Sequence, residues 1–152
     1  MLFRSAPPLQ GLRVVEHGER LGAAVCGTIL AHLGAEVVLL EPSQPGKQHK
    51  WANRMATALG KRSLLANDSN VVKALCERAD ILISSTDLSP SPIATAPQQI
   101  HCDITAFGAN SPQTGQACSD TLIQAFAGLA DTTGDANAPP IAIRSEEHTS
   151  EL

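Results

Sequence analysis

Apolar and polar positions along the chain follow two different periods. Leu12-Arg13-Val14-Val15-Glu16 comes after the turn residues Gln10-Gly11 and is rich in β-branched side chains, which predicts a first strand. From Leu21 to Leu33 the period changes. Leu21, Val25, Thr28, Ile29, His32 and Leu33 recur at helical spacing among Ala and Gly, and Gly34 stands where a left-handed C-cap ends a helix. Glu36-Val37-Val38-Leu39-Leu40-Glu41 is then a nearly continuous apolar run, the signature of a strand buried on both faces. Strand, helix and strand within about thirty residues predict a βαβ unit with a right-handed crossover.

The same reading carries on along the chain. Pro42 to Lys50 is a polar loop, helical character returns weakly over Trp51–Leu59, and Ser63-Leu64-Leu65 predicts a short strand. Asn67 or Asp68 is placed to cap a helix that runs through Val71, Val72, Leu75 and Cys76 and closes near Ala79. Asp80-Ile81-Leu82-Ile83-Ser84 predicts the next buried strand, and after a proline-rich loop Ile100 to Phe107 predicts another. A last amphipathic helix is expected from Asp120, as its cap, through Leu122, Ile123, Ala125, Phe126 and Leu129. The alternation predicts an α/β fold, an open and mostly parallel Rossmann-like sheet with helices on both faces.

Composition narrows the possibilities. With 152 residues and 43% hydrophobic content, one compact core is the default. No run of ~18 apolar residues can span a bilayer, and Met1-Leu2-Phe3-Arg4 leads to Pro7-Pro8 without the apolar core of a signal peptide. The expectation is a cytoplasmic protein without membrane contact. A net charge of −4 and a single tryptophan argue against nucleic acid as a partner. The basic stretch Lys47, Lys50, Arg54, Lys61 and Arg62 reads as a solvated face or as contacts to a phosphate-bearing small ligand. Cys26, Cys76, Cys102 and Cys118 lack C-x-x-C spacing, and no H-x-x-x-H pair occurs, so neither a zinc site nor a disulfide framework is expected. Cys26 and Cys76 fall on apolar helical faces, where a thiol acts as a small hydrophobe.

Residues 144–152, Arg-Ser-Glu-Glu-His-Thr-Ser-Glu-Leu, carry no hydrophobic pattern and resemble the in-frame translation of a sequencing-library adapter. The expectation is a family-derived segment at 1–143 followed by a foreign tail, which holds −2 of the total charge.

Candidate chemistry lies first at the turn Gly18-Glu19-Arg20-Leu21-Gly22. Open α/β sheets bind ligands outside the carboxyl ends of their strands, and backbone amides at the next helix start can cradle a phosphate. A dinucleotide fingerprint requires G-x-G-x-x-G, whereas the glycines here fall at 18, 22 and 27. Glu41 mimics a ribose-binding acid, or is a strand-end contact with solvent. His101-Cys102-Asp103 are neighbours on a predicted strand, so successive side chains face opposite ways and form no catalytic set by adjacency alone. Asp131 and Asp135 read as turn or cap residues.

Pro8-Leu9-Gln10-Gly11-Leu12-Arg13-Val14-Val15-Glu16 resembles the start of class III coenzyme A transferases, the CaiB–BaiF group. The resemblance continues through Leu33–Pro42, Gly60–Leu64, Ala79–Ile83, Asp103–Gly108, Ser119–Gly128 and Thr133-Gly134, in the family's order. It implies transfer of coenzyme A from an acyl-CoA to a carboxylate acceptor through an aspartyl enzyme, with CoA as substrate and no covalently bound cofactor. It also implies an interlocked full-length homodimer. The family's Asp lies roughly ten residues beyond the position of Pro139-Pro140, and no Asp follows Asp135, so no catalytic residue is assigned. The chain therefore reads as the N-terminal part of such an enzyme, truncated before the catalytic Asp and inactive alone. Contacts to CoA implied by the resemblance fall on Glu19, Arg20, Leu21, Gly22, Ala66, Ser85, Thr86, Thr105 and Phe107. Pro42 stands where relatives often carry a basic residue, so Arg20, Lys47 or Lys61 is left to supply that phosphate contact. The alternatives are a 2-methylacyl-CoA racemase relative, a Rossmann-type NAD(P)-binding oxidoreductase domain and a non-catalytic CoA-binding module.

Overall fold

A computed structural model describes residues 6–18, 20–42, 57–85, 97–108, 110–116, 118–133 and 137. They fall in two compact units, 1–105 and 106–152. In the first, β1 (Arg13–Gly18), β2 (Glu36–Glu41), β3 (Arg62–Leu65), β4 (Ile81–Ser85) and β5 (Ile100–Asp103) form one sheet of order β3-β2-β1-β4-β5. Every pairing is parallel; Val14 lies between Val37 on β2 and Ile81 on β4. Helices α1 (Leu21–His32) and α2 (Ser69–Arg78) make the crossovers β1–β2 and β3–β4. The expected open α/β sheet is therefore present, and it is wholly parallel.

Alternation along the central strands explains the two-sided core. Val14, Val37 and Ile83 face α1, where Ala23 and Ala35 join them. Val15, Leu40 and Leu82 face the other way and pack on Cys76 and Ala79, with Val72 and Leu75 of α2 beside them. Successive strand residues point to opposite faces, so uninterrupted apolar runs are what a sheet covered on both sides requires. Cys76 is buried, and burial pushes its thiol up, as suits a small hydrophobe rather than a nucleophile.

The helix ends follow local chemistry. Asp68 caps α2 by accepting from the Asn70 amide at 2.8 Å and the Val71 amide at 3.4 Å. Gly34, at φ +99°, ends α1 in the left-handed region, and a Cβ there would lie 2.3 Å from Cβ of Pro7. The helix expected over Trp51–Leu59 lies mostly outside the described residues, of which 57–58 are helical. Two expectations are corrected. β5 stops at Asp103 rather than Phe107, because only residues 100–103 have a partner strand in β4.

The second correction concerns the last helix, in the second unit, where α3 spans Asp120–Phe126. Ser119 rather than Asp120 is its cap. Ser119 has the extended backbone a cap needs, and its Oγ accepts from the Leu122 amide at 3.3 Å. Asp120 lies in the first turn and accepts from Gln124 Nε2 at 2.7 Å. Gly128, at φ +76°, turns the chain before Leu129 can extend the helix. Phe107 and Phe126 meet edge to face, with ring centroids 5.4 Å apart.

Arg13 and Asp80 tie the entrances of β1 and β4 together. Asp80 accepts from Arg13 Nε at 3.1 Å, from Nη2 at 2.9 Å and from the Arg13 amide at 2.8 Å. These bonds hold the Asp80 carboxyl at about 2, below its ordinary 3.8. A depressed carboxyl stabilises the fold above its unfolded value and loses that contribution as pH falls through the folded one. The urea midpoint of Asp80→Asn should therefore lie below that of the wild type at neutral pH. The gap should narrow from about 3.8 downward and be largely closed near 2. A gap that stays constant on acidification would show that the ion pair adds nothing.

Candidate functional site

The strand order reverses between β1 and β4, and in such sheets the crevice outside the strand ends at this point takes ligands. Gly18 and Ser85 are register partners at its lip. Gly18 has φ +127°, and a Cβ would lie 2.3 Å from the Ser85 carbonyl oxygen and 2.7 Å from Ser85 Oγ. Only glycine lets the two strand ends come this close. The chain is then hooked across the gap, since the Arg20 amide donates to Ser85 Oγ at 3.1 Å.

Arg20 is the N-cap residue of α1, with extended backbone and no side-chain cap bond. The first turn of α1 holds no acidic residue. The first amides of a helix have no partner within the helix and carry partial positive charge, so this end suits an anion. Gly22 in this turn lies against β5's exit, where a Cβ would be 3.3 Å from Ile104 Cγ2. Ile104 is itself held by its amide donating to the Ser84 carbonyl at 2.8 Å, and Thr105 follows it.

The structure therefore brings Arg20, Leu21, Gly22 and Ser85 to one crevice, with Thr105 beside it. Ala66 is on the same edge of the sheet, but its amide bonds the Glu41 carbonyl at 2.8 Å at the exit of β3, two strands away from β1. At the usual strand spacing that is about 10 Å. Phe107 lies in the second unit. Glu19 and Thr86 lie outside the described residues. Glu41 is a strand-end contact: its Oε1 accepts from Ser63 Oγ at 2.6 Å.

Lys61 departs from the sequence reading. Instead of a solvated charge or a phosphate contact, its Nζ lies 2.6 Å from Glu16 Oε2, and both side chains are 1% exposed. The same ammonium donates to the Ala24 carbonyl of α1 at 2.7 Å. A Cβ on Gly27 would lie 1.9 Å from Glu16 Oε2, so this glycine makes room for the pair beneath α1 rather than for a phosphate above it. Burial pushes the Glu16 carboxyl up, and Lys61 pulls it partly back. The signal for this pair is a carboxylate two residues after Val14, on the same buried face of β1, a place that demands a cation.

On the opposite face, Ser84 gathers His101 and Asp103, which share a face because they are two apart on β5. Ser84 Oγ donates to Asp103 Oδ1 at 2.7 Å and lies 3.0 Å from His101 Nε2. The serine is the hub, so this is not the arrangement in which a carboxylate orients a histidine toward a nucleophile. Cys102 points the other way, toward α1, and its thiol, like that of Cys26, is free. Among the described residues no group of three or more His, Cys, Asp and Glu can hold a metal ion, and no helix is long and apolar enough to cross a membrane.

The chain is similar to known proteins over most of its length. The family model described as CoA-transferase family III matches residues 9–146. A succinate–glutarate CoA-transferase of Agrobacterium fabrum is 28% identical over 165 aligned residues, covering 89% of this chain and 41% of the relative. A succinyl-CoA–D-citramalate CoA-transferase of Chloroflexus aurantiacus is 27% identical, covering 92% and 41% respectively. The crystal structure of a CaiB/BaiF family protein from Brucella suis superposes with a TM-score of 0.79 at 30% identity, covering 91% of this chain and 44% of that one. The chain thus spans about two fifths of the length of these relatives.

Proposed function

Since this chain belongs to CoA-transferase family III, we propose that its switch-point crevice receives coenzyme A. The phosphates would lie against the first turn of α1, between Arg20–Gly22 and Ser85. The observation that carries this reading is the hook from the Arg20 amide to Ser85 Oγ, which fixes the helix start at the strand exits. Amides aimed from a rigid turn suit a phosphate ester without requiring a glycine fingerprint. The NAD(P) reading is weaker because Gly27, one of the glycines it would use, is occupied against the Glu16–Lys61 pair.

In this reading the whole protein moves CoA from an acyl-CoA to a carboxylate acceptor. A carboxylate of the enzyme attacks the thioester carbonyl, and the tetrahedral adduct collapses by expelling CoA as a thiolate, which leaves a mixed anhydride. The thiolate then attacks the enzyme's own acyl carbon, releasing the donor's carboxylate and leaving an enzyme–CoA thioester. A carboxylate acceptor reverses the sequence. That nucleophile is an Asp for which this sequence offers no match after Asp135. Residues 1–143 supply the CoA-binding half in this account, residues 144–152 are foreign, and a homodimer is the working form of the whole enzyme.

Calorimetric titration of the 152-residue chain should show heat of binding for CoA and none for NAD. An acyl-CoA and carboxylate mixture should give no transfer. Binding of NAD without CoA would overturn the reading, and turnover by this chain would overturn the missing nucleophile. Independent sequencing of the source DNA across the Ile143 codon tests the foreign tail, which an uninterrupted reading through Leu152 would refute.

A further inference from the structure

The Glu16–Lys61 pair does more than neutralise two charges. Glu16 lies on β1, two residues before Gly18, and Ala24 lies on α1, four residues after Arg20. One ammonium holds both, at 2.6 Å to the Glu16 carboxylate and 2.7 Å to the Ala24 carbonyl. The chain between them is the β1–α1 turn, of which residue 19 lies outside the described residues. Its two ends are thereby pinned to one atom, which belongs to a third element, the entrance of β3. The Ala24 carbonyl is further engaged by Thr28 Oγ1 at 2.8 Å, and the Ala24 amide makes a long first helical bond to Arg20 of 3.4 Å. The Lys61 contacts from outside therefore add to the shape of this first turn.

We propose that Lys61 is a positioning residue for ligand binding, closing the Glu16–Ala24 segment at both ends and holding the start of α1, with its Leu21 and Gly22 amides, in the binding arrangement. The ligand half of this proposal rests on the CoA reading above. Preorganisation of this kind saves the ordering cost that a loose turn would add to binding. A merely structural pair could be exchanged for apolar side chains of similar volume without loss of function, because such exchanges are often neutral for stability.

The test is the double variant Glu16→Met/Lys61→Met, with Glu16→Gln/Lys61→Gln as a second pair should the first not fold. Thermal melting monitors the fold, hydrogen exchange monitors the amides of Gly18, Arg20 and Leu21, and calorimetry measures CoA affinity. The expected result is a melting temperature near that of the wild type, with exchange at these amides at least about tenfold faster and unchanged at β4. CoA affinity is expected to fall at least about tenfold. Unchanged exchange at the turn overturns the clamp whatever the affinity. Faster exchange with undiminished CoA affinity overturns the positioning role. Faster exchange in a chain whose wild type does not bind CoA sinks the CoA reading and the ligand half of the proposal, while the clamp on the turn is upheld.

Discussion

Lys61→Met alone is expected to lower stability by about 3–5 kcal/mol, because removing one partner of a buried pair strands the other. Against the roughly 5–15 kcal/mol a domain holds in total, that is a severe loss. Glu16 would remain beneath α1 without its cation, in a place where its side chain is 1% exposed. The pH dependence gives the cause away. Burial already holds the Glu16 carboxyl above its ordinary 4.5, and Lys61 is what opposes that rise. Without Lys61 the folded state keeps its proton to higher pH than the unfolded state does. Stability of the variant should therefore fall as pH rises through this window, and its deficit against wild type should shrink on acidification toward 4.5. The deficit closes on acidification as it does for Asp80→Asn, but in a higher window, because the Glu16 carboxyl is raised where that of Asp80 is depressed. Urea midpoints of both chains at neutral and mildly acidic pH measure it. A deficit that is pH-independent, or smaller than about 1 kcal/mol, would mean the pair is not buried as described.

The second large effect is expected at Gly18. Alanine there meets two obstacles that do not relieve each other. A φ of +127° lies where L side chains rarely go, and strain of this kind costs about 1–3 kcal/mol. The new Cβ would also lie 2.3 Å from the Ser85 carbonyl oxygen, a backbone atom of the paired strand that cannot rotate away. Relief requires β1 and β4 to part at their exits, which breaks the hook at Ser85 as well. A total loss above about 4 kcal/mol is expected, of the size reserved for such mechanisms. Gly11→Ala provides the scale: φ is +91° there, but nothing lies within 4 Å, so only the left-handed strain of about 1–2 kcal/mol applies. Denaturant midpoints of the two variants side by side decide the matter. Equal losses would show that the close approach of β1 to β4 costs nothing to disturb.

The sheet was largely readable in advance because its information is local. Val37–Leu40 reads as a doubly buried strand from four consecutive apolar residues, and Gly34 marks the end of α1 on its own. Asn67-Asp68 announces α2 for the same reason, and Asp68 is the one that caps it, bonding amides two and three residues ahead. What stayed hidden depends on distance along the chain. Lys61 finds Glu16 across 45 residues, and nothing near either residue says which partner it takes. β5 pairs with β4 only over Ile100–Asp103, a limit that the run Ile100–Phe107 cannot express. The site residues divide in the same way. Arg20, Leu21 and Gly22 are contiguous and stay together, whereas Ala66 belongs to a strand whose place in the sheet order decides its distance from them.

That sheet order also sets a timetable. β1 is central, and its two neighbours arrive at very different times: β2 begins 23 residues after β1, while the hook to β4 joins residues 65 apart. Bringing distant segments together costs loop-closure entropy before any contact repays it, and parallel pairings are slow for this reason. On a ribosome, β1, α1 and β2 emerge and can pack while β4 is still unmade. The crevice, whose second wall is Ser85, is therefore among the last parts of this unit to close, and a nascent chain shorter than that residue has nowhere to put its ligand.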